Sequence, residues 1–84
     1  MPEEKVGVVK DYFARIGVAG IELCAPLRAG DTVHVKGHTT DFSQVVNSIQ
    51  IEHQTVSEAG VGSSVGVRVT ERCRDGDVVY RVTP

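Results

Sequence analysis

An all-β fold, a small closed or nearly closed six-stranded β-barrel of Greek-key type, is what this sequence predicts, on three observations. Sixteen valines and four isoleucines stand against two leucines, and β-branched side chains pack well on a pleated surface while losing rotamer freedom in a helix. Runs such as "TVHVKG" and "VGVRVT" alternate apolar and polar residues with the period of a half-buried strand. Glycine and proline clusters separate these runs at short intervals, as turns between strands require. Eighty-four residues are enough for one small domain, 1–84 with a core of about 5–83. In so small a chain, closure of the sheet removes exposed edges.

The elements follow in order. Lys5 to Phe13 and Gly17 to Leu23 form a hairpin joined at "ARIG", where Gly17 supplies the positive φ of a tight connection. "APLRAGD" turns the chain into Thr32 to Gly37, with Val33 and Val35 inward and His34, Lys36 and His38 outward. "SQVVNSIQIEH" predicts one long strand in which Val45, Ile49 and Ile51 share a face with Asn47, and "TVSEAGVGSS" is a loop by composition. "VGVRVT" places Val65, Val67 and Val69 inward and Arg68 outward; after the turn "RDG", Val78, Tyr80 and Val82 share one face of the last strand.

The formal net charge is −2, without a run of either sign. A nonspecific nucleic-acid binder is normally basic, so any RNA contact is local. The two cysteines, Cys24 and Cys73, lie far apart and follow no apolar signal segment, which predicts reduced thiols in a cytoplasmic protein. No apolar run approaches the ~20 residues of a membrane-spanning helix.

The candidate chemistries fail for separate reasons. His34 and His38 stand four residues apart, a spacing that converges on one metal from a helix but separates them by ~13 Å on a strand. Only a site assembled from distant loops would hold a metal. "GVGSSVG" lacks the helix that gives a phosphate-binding loop its anion affinity, and no nucleotide-binding signature occurs. No nucleophile sits in a recognisable turn. The expectation is a protein without cofactor, metal or nucleotide, and not an enzyme; a metal- or thiol-dependent enzyme using Cys24, Cys73 or the histidines is the remote alternative.

Two surface patches remain. Arg68, Arg72, Arg74 and Arg81 offer planar forks for phosphate or carboxylate, although Glu71, Asp75 and Asp77 interleave with them as a salt-bridged surface would. His34, Lys36 and His38 form the second. Between them "GHTTDF" reads as a turn in which Thr39, Thr40 and Asp41 bond their own backbone, or as a contact loop whose Phe42 either plugs the barrel end or stacks on a base.

Four motifs in order, "AGDTVHVKG", "VVNSIQI", "EAGVGSSVGV" and "RDGDVVYRV", resemble domain II of the translational GTPases, the β-barrel of elongation factor Tu and initiation factor two. The resemblance implies a non-catalytic binding module that touches ribosomal RNA, tRNA or a translation-related protein. The residues that would carry this contact are Lys36, His38, Thr39, Thr40, Phe42, Arg68, Arg72 and Arg74. A protein–protein adaptor barrel that docks onto a partner enzyme or GTPase, without RNA, is the alternative. The start of the chain departs from the pattern, with "VGVVKDYFARIGVAGIEL" in place of a compact G-x-V-x-x-G.

Overall fold

The computed structural model describes residues 3–83. They form ten strands: β1 (Glu3–Phe13), β2 (Val18–Leu23), β3 (Leu27–Arg28), β4 (Thr32–Lys36), β5 (Asp41–Val45), β6 (Ile49–Ile51), β7 (Gln54–Val56), β8 (Glu58–Ala59), β9 (Ser64–Arg68) and β10 (Val78–Val82). Eight make one antiparallel sheet in the order β5-β4-β10-β1-β2-β9-β6-β7, and β3 pairs with β8. The fold is all-β, and among the described residues there is no helix.

The long first strand curls this sheet around its core. Its first half pairs with β10 and its second half with β2, and the register shifts between Lys5 and Gly7 and again between Val9 and Asp11. Such bulges bend a strand and raise its twist. Gly7 is required at the first: a Cβ there would lie 2.7 Å from the Glu22 carbonyl and 2.8 Å from Ile21 Cγ2. The core gathers Val6, Val9, Ile21, Leu23, Leu27, Val33, Val35, Phe42, Val46, Ile49, Val65, Val67 and Val79, with Val33, Val35, Val65, Val67 and Val69 buried where the alternation places them.

Three sequence expectations meet a different arrangement. The long strand Ser43–His53 is two: β5 begins at Asp41, pairing Asp41 with Lys36 and Phe42 with Val35, and so turns Val46 inward and leaves Val45 49% exposed. A one-residue slip of register exchanges the faces of a strand. The expected loop Thr55–Ser64 contains β7 and β8. In β10, Val78, Tyr80 and Val82 share one face as expected; it is the outer one, and Val79 is fully buried.

The sheet ladder, third, is not closed: it ends at β5 on one side and β7 on the other. A side chain bridges part of the gap. Gln44 of β5 donates through Nε2 to the Arg68 carbonyl and accepts through Oε1 from the Thr70 amide, each at 2.7 Å, which is the exchange a paired strand would make with its backbone.

Candidate functional site

The residues expected to form a contact surface divide into an exposed set and a buried pair. Lys36 and His38 are exposed at the end of β4 and just beyond it, and Thr39 is exposed in the turn that the Gly37 amide closes on the Thr40 carbonyl at 2.7 Å. Thr40 and Phe42 are buried, each 6% exposed. Phe42 therefore belongs to the core and offers no ring to a base. Asp41 bonds no turn backbone; its carboxylate takes His34. Arg68 lies on β9, Arg72 and Arg74 on the irregular segment before β10, and Arg81 is taken up by the Pro26 carbonyl at 2.9 Å and by Glu4. Arg68, Arg72 and Arg74 are exposed, whereas Arg81 is half-buried.

His34 is the centre of a clasp. Its Nδ1 meets Glu3 Oε2 of β1 at 2.9 Å and its Nε2 meets Asp41 Oδ1 of β5 at 2.5 Å, with the Tyr80 ring of β10 tilted against it. The hydrogen bonds to Asp41 and Glu3 raise the imidazole above its ordinary value of 6.5, and His34 in turn lowers Asp41. The carboxylates sit on opposite ring nitrogens, so the three groups cannot converge on one ion. Among the described residues no cluster of three His, Cys, Asp or Glu side chains is disposed to hold a metal.

The two cysteines differ in exposure. Cys73 is buried, and burial, with the charges of Asp77 and Glu71, pushes its thiol up to about 11. A thiol so placed is a poor nucleophile near neutral pH, where only the thiolate reacts. Cys24 is exposed, with Sγ 3.8 Å from the Lys5 carbonyl.

The feature with the form of a binding site lies on the outer face of β1, β2, β9 and β6, a trough of about 450 Å³, within the ~300–1,000 Å³ of ligand sites. Strand register builds it. Asp11 pairs with Gly20, Gly20 with Gly66, and Gly66 with Gln50, so one row crosses four strands with two glycines at its centre. Inward neighbours Ala19, Ile21, Val65 and Val67 fix these glycines on the outer face. Along one side runs the row Phe13, Val18, Arg68, and along the other Glu22 and Ser64.

Apolar surface stands open in the first wall: Phe13 is 51% exposed and Ile16, on the β1–β2 turn, 57%. The opposite rim carries Glu22, Glu52 and His53. Glu52 and His53 form the β6–β7 turn with φ of 49° and 67°, the left-handed backbone of a two-residue hairpin. Without glycine or asparagine it is strained by ~1–2 kcal/mol per residue. Sequence reasoning missed the trough. Its available signal was glycine at an outward position inside two strand patterns, "VAGIEL" and "SVGVR".

Comparison with known proteins places this geometry. The chain is 40% identical over 77 residues to an uncharacterized protease of Methanocaldococcus jannaschii, which covers 90% of this chain and 19% of the relative. It is 38% identical over 78 residues to a collagenase of Porphyromonas gingivalis, covering 90% of this chain and 22% of that protein. The chain thus spans about a fifth of the length of the curated relatives it matches. No protein-family model matches it. Among solved structures, the C-terminal domain of a Geobacillus thermoleovorans protein described as a U32 peptidase superposes with a TM-score of 0.89 at 23% identity, over 95% of this chain and 93% of that one. Its selenomethionine variant gives 0.86 at 24% over 90% and 96%. At those identities the structural likeness establishes the fold.

These findings overturn the resemblance to translation-factor domain II and, with it, the expected RNA- or tRNA-binding translation module. The motifs behind that resemblance are turns and β-branched alternation, which small antiparallel sheets share whatever their ancestry. The likenesses do not single out the adaptor alternative. The expectation of a protein apart from enzymes is corrected too, since the relatives carry the names of a protease and a collagenase.

Proposed function

We propose that the chain is a counterpart of the C-terminal domain of U32 peptidases and serves such a peptidase by engaging polypeptide through the trough on its β1-β2-β9-β6 face. The observation that carries this reading is the match to the protease and the collagenase, which takes in 90% of the chain, nearly the whole β-module, while leaving about four-fifths of each relative outside it. Geometry supports the second half: Phe13 and Ile16 leave apolar surface exposed along a formed cavity, a combination that marks interaction sites.

Three subsidiary readings belong with it. The chain acts as one domain with a core of about 5–83. The sheet behaves as a nearly closed barrel, a reading supported by the Gln44 bridge to Arg68 and Thr70. The setting is cytoplasmic, supported by free Cys24 and Cys73; among the described residues, no helix is long and apolar enough to cross a membrane. Lys36, His38, Thr39, Arg72 and Arg74, exposed away from the core, are proposed as a second contact surface, toward the remainder of the peptidase.

A chimaera tests the proposal. The matched segment of the Porphyromonas gingivalis collagenase is replaced by this chain, and hydrolysis of denatured collagen is followed. Retained hydrolysis, lost when the segment is deleted outright, is expected. A folded chimaera no more active than the deletion would overturn the reading.

A further inference from the structure

The nine glycines do not all have the same cause, and the difference points to a ligand. Gly17, Gly30, Gly62 and Gly76 have positive φ. Gly7 and Gly37 are held by close contact, with backbone and with Asp77. Gly60, just after β8, has no positive φ and open space around it, and Gly20 and Gly66 fall between these cases. The backbones of Gly20 and Gly66 are ordinary strand; an added Cβ would make ordinary contact with Asp11 Cβ at 3.4 Å at Gly20, and at Gly66 it would press on Val18 Cγ1 at 3.3 Å, which must give by a few tenths of an ångström. Glycine inside a strand is costly relative to a side chain that packs, and where the fold does not demand it, it marks the close approach of another group. These two are cross-strand partners on the floor of the trough.

The walls say what that group is. The row Asp11, Gly20, Gly66, Gln50 spans three strand spacings, ~14 Å, the length of about four extended residues. Phe13, Ile16 and Val18 make one wall apolar, while Glu22 and Glu52 line the other and Asp11 one end. Of the other carboxylates among the described residues, Glu3 and Asp41 are engaged with His34, Glu4 and Asp31 with Arg81, and Glu58 with Arg28, while Glu71, Asp75 and Asp77 are in no ion pair. Among the described residues, Asp11, Glu22 and Glu52 make no ion pair. Lys10 and, beside Glu52, His53 also line the trough, and Arg68 stands in the row with Phe13 and Val18. An extended chain lying along the floor directs successive side chains alternately to the two walls.

Resting on the reading of the trough as a polypeptide site, we infer that its ligand is an extended segment of a partner protein with alternating apolar and basic side chains. The apolar ones pack on Phe13, Ile16 and Val18, and the basic ones face Glu22 and Glu52. The segment's backbone lies against Gly20 and Gly66.

Two synthetic peptides test this on the full 84-residue chain: acetyl-Gly-Lys-Phe-Lys-Val-Gly-amide, and the same peptide with both lysines replaced by glutamate. In a nitrogen-15 NMR titration, the lysine peptide shifts the amide signals of Gly20, Gly66 and Gln50. The glutamate peptide binds at least about tenfold more weakly, and the Glu22→Gln/Glu52→Gln variant loses that preference, as charge complementarity requires. Both substituted positions are exposed, and the variant's dispersed spectrum reports that it is folded. Equal binding of the two peptides, shifts centred elsewhere, or no binding would each overturn the inference. The peptide titration is independent of the collagenase chimaera: an active chimaera with no peptide binding sinks the ligand assignment alone. A bound lysine peptide with an inactive chimaera sinks the peptidase role alone.

Discussion

The corner around Gly37 and the trough around Gly66 both depend on glycine, for opposite reasons. At the corner the space is full. A Cβ on Gly37 would fall on the Asp77 carboxylate, 2.6 Å from its Cγ. Asp77 is itself buried and fixed, since its Oδ2 accepts from the Arg74 amide at 2.8 Å and its carbonyl accepts from the Val9 amide at 2.7 Å. Beside it the His34 clasp ties β1, β4 and β5 together. At the trough the glycines face a cavity, and the surrounding side chains are unpaired or apolar. One region uses glycine to complete its packing, and the other to keep packing away.

Substitutions break this comparison in order of size. The two phenylalanines come first, one on each side. Phe42→Ala removes a buried ring and costs about 3–5 kcal/mol, while Phe13→Ala, at a half-exposed position, stays within about 1 kcal/mol; urea unfolding of the pair measures both. Next are the glycines. Gly37→Ala overpacks a filled corner and costs about 1–3 kcal/mol, whereas Gly66→Ala, whose Cβ presses only on Val18 Cγ1, changes stability by no more than about 0.5 kcal/mol. Equal losses at the two positions would erase the distinction.

A third change sharpens the trough alone. His53→Gly relieves a left-handed residue at the β6–β7 turn and stabilises by about 1 kcal/mol, read as a higher thermal midpoint. An unchanged or lowered midpoint would mean the turn is not strained.

The smallest effect belongs to pH. The folded pKa of His34 is raised by Asp41 and Glu3, so its contribution is full below 6.5 and is lost as pH rises through the elevated value. That of Asp41 is lowered by His34, so its contribution is present above 3.8 and is lost as pH falls through the lower value. The clasp, faced also by Lys36 and Tyr80, is strongest between these limits. His34→Gln flattens the decline above pH 6.5 in a series of thermal melts, and leaves the stability at alkaline pH nearly unchanged. A wild-type midpoint independent of pH across that range would contradict the clasp.

How far the sequence carried these features depended on whether the cause was local. Val33, Val35, Val65 and Val67 alternate within single strands, so their burial follows from period alone. The chain reversal at Glu52–His53 did not, because neither residue is a turn former; the hairpin is imposed by the pairing of Ile49 with Val56 and of β6 with β9. Val45 and Val46 are both valine, and which one faces inward is decided by the pairing of Phe42 with Val35. The trough was the least legible part. Gly20 and Gly66 read singly as weak points in two strands, and become a floor only when the β2–β9 register sets them side by side. The arginines were legible as residues, but the commitment of Arg81 to the Pro26 carbonyl and Glu4 was not.

The most direct test of the trough is the Gly20→Ala/Gly66→Ala double variant, carried through urea unfolding and through titration with the lysine peptide on the same sample. If the fold spares these glycines and the ligand needs them, unfolding stability stays within about 1 kcal/mol of the wild type while peptide affinity falls about tenfold or more. Loss of stability with unchanged affinity would contradict the account, because the glycines would then serve the sheet and nothing beyond it.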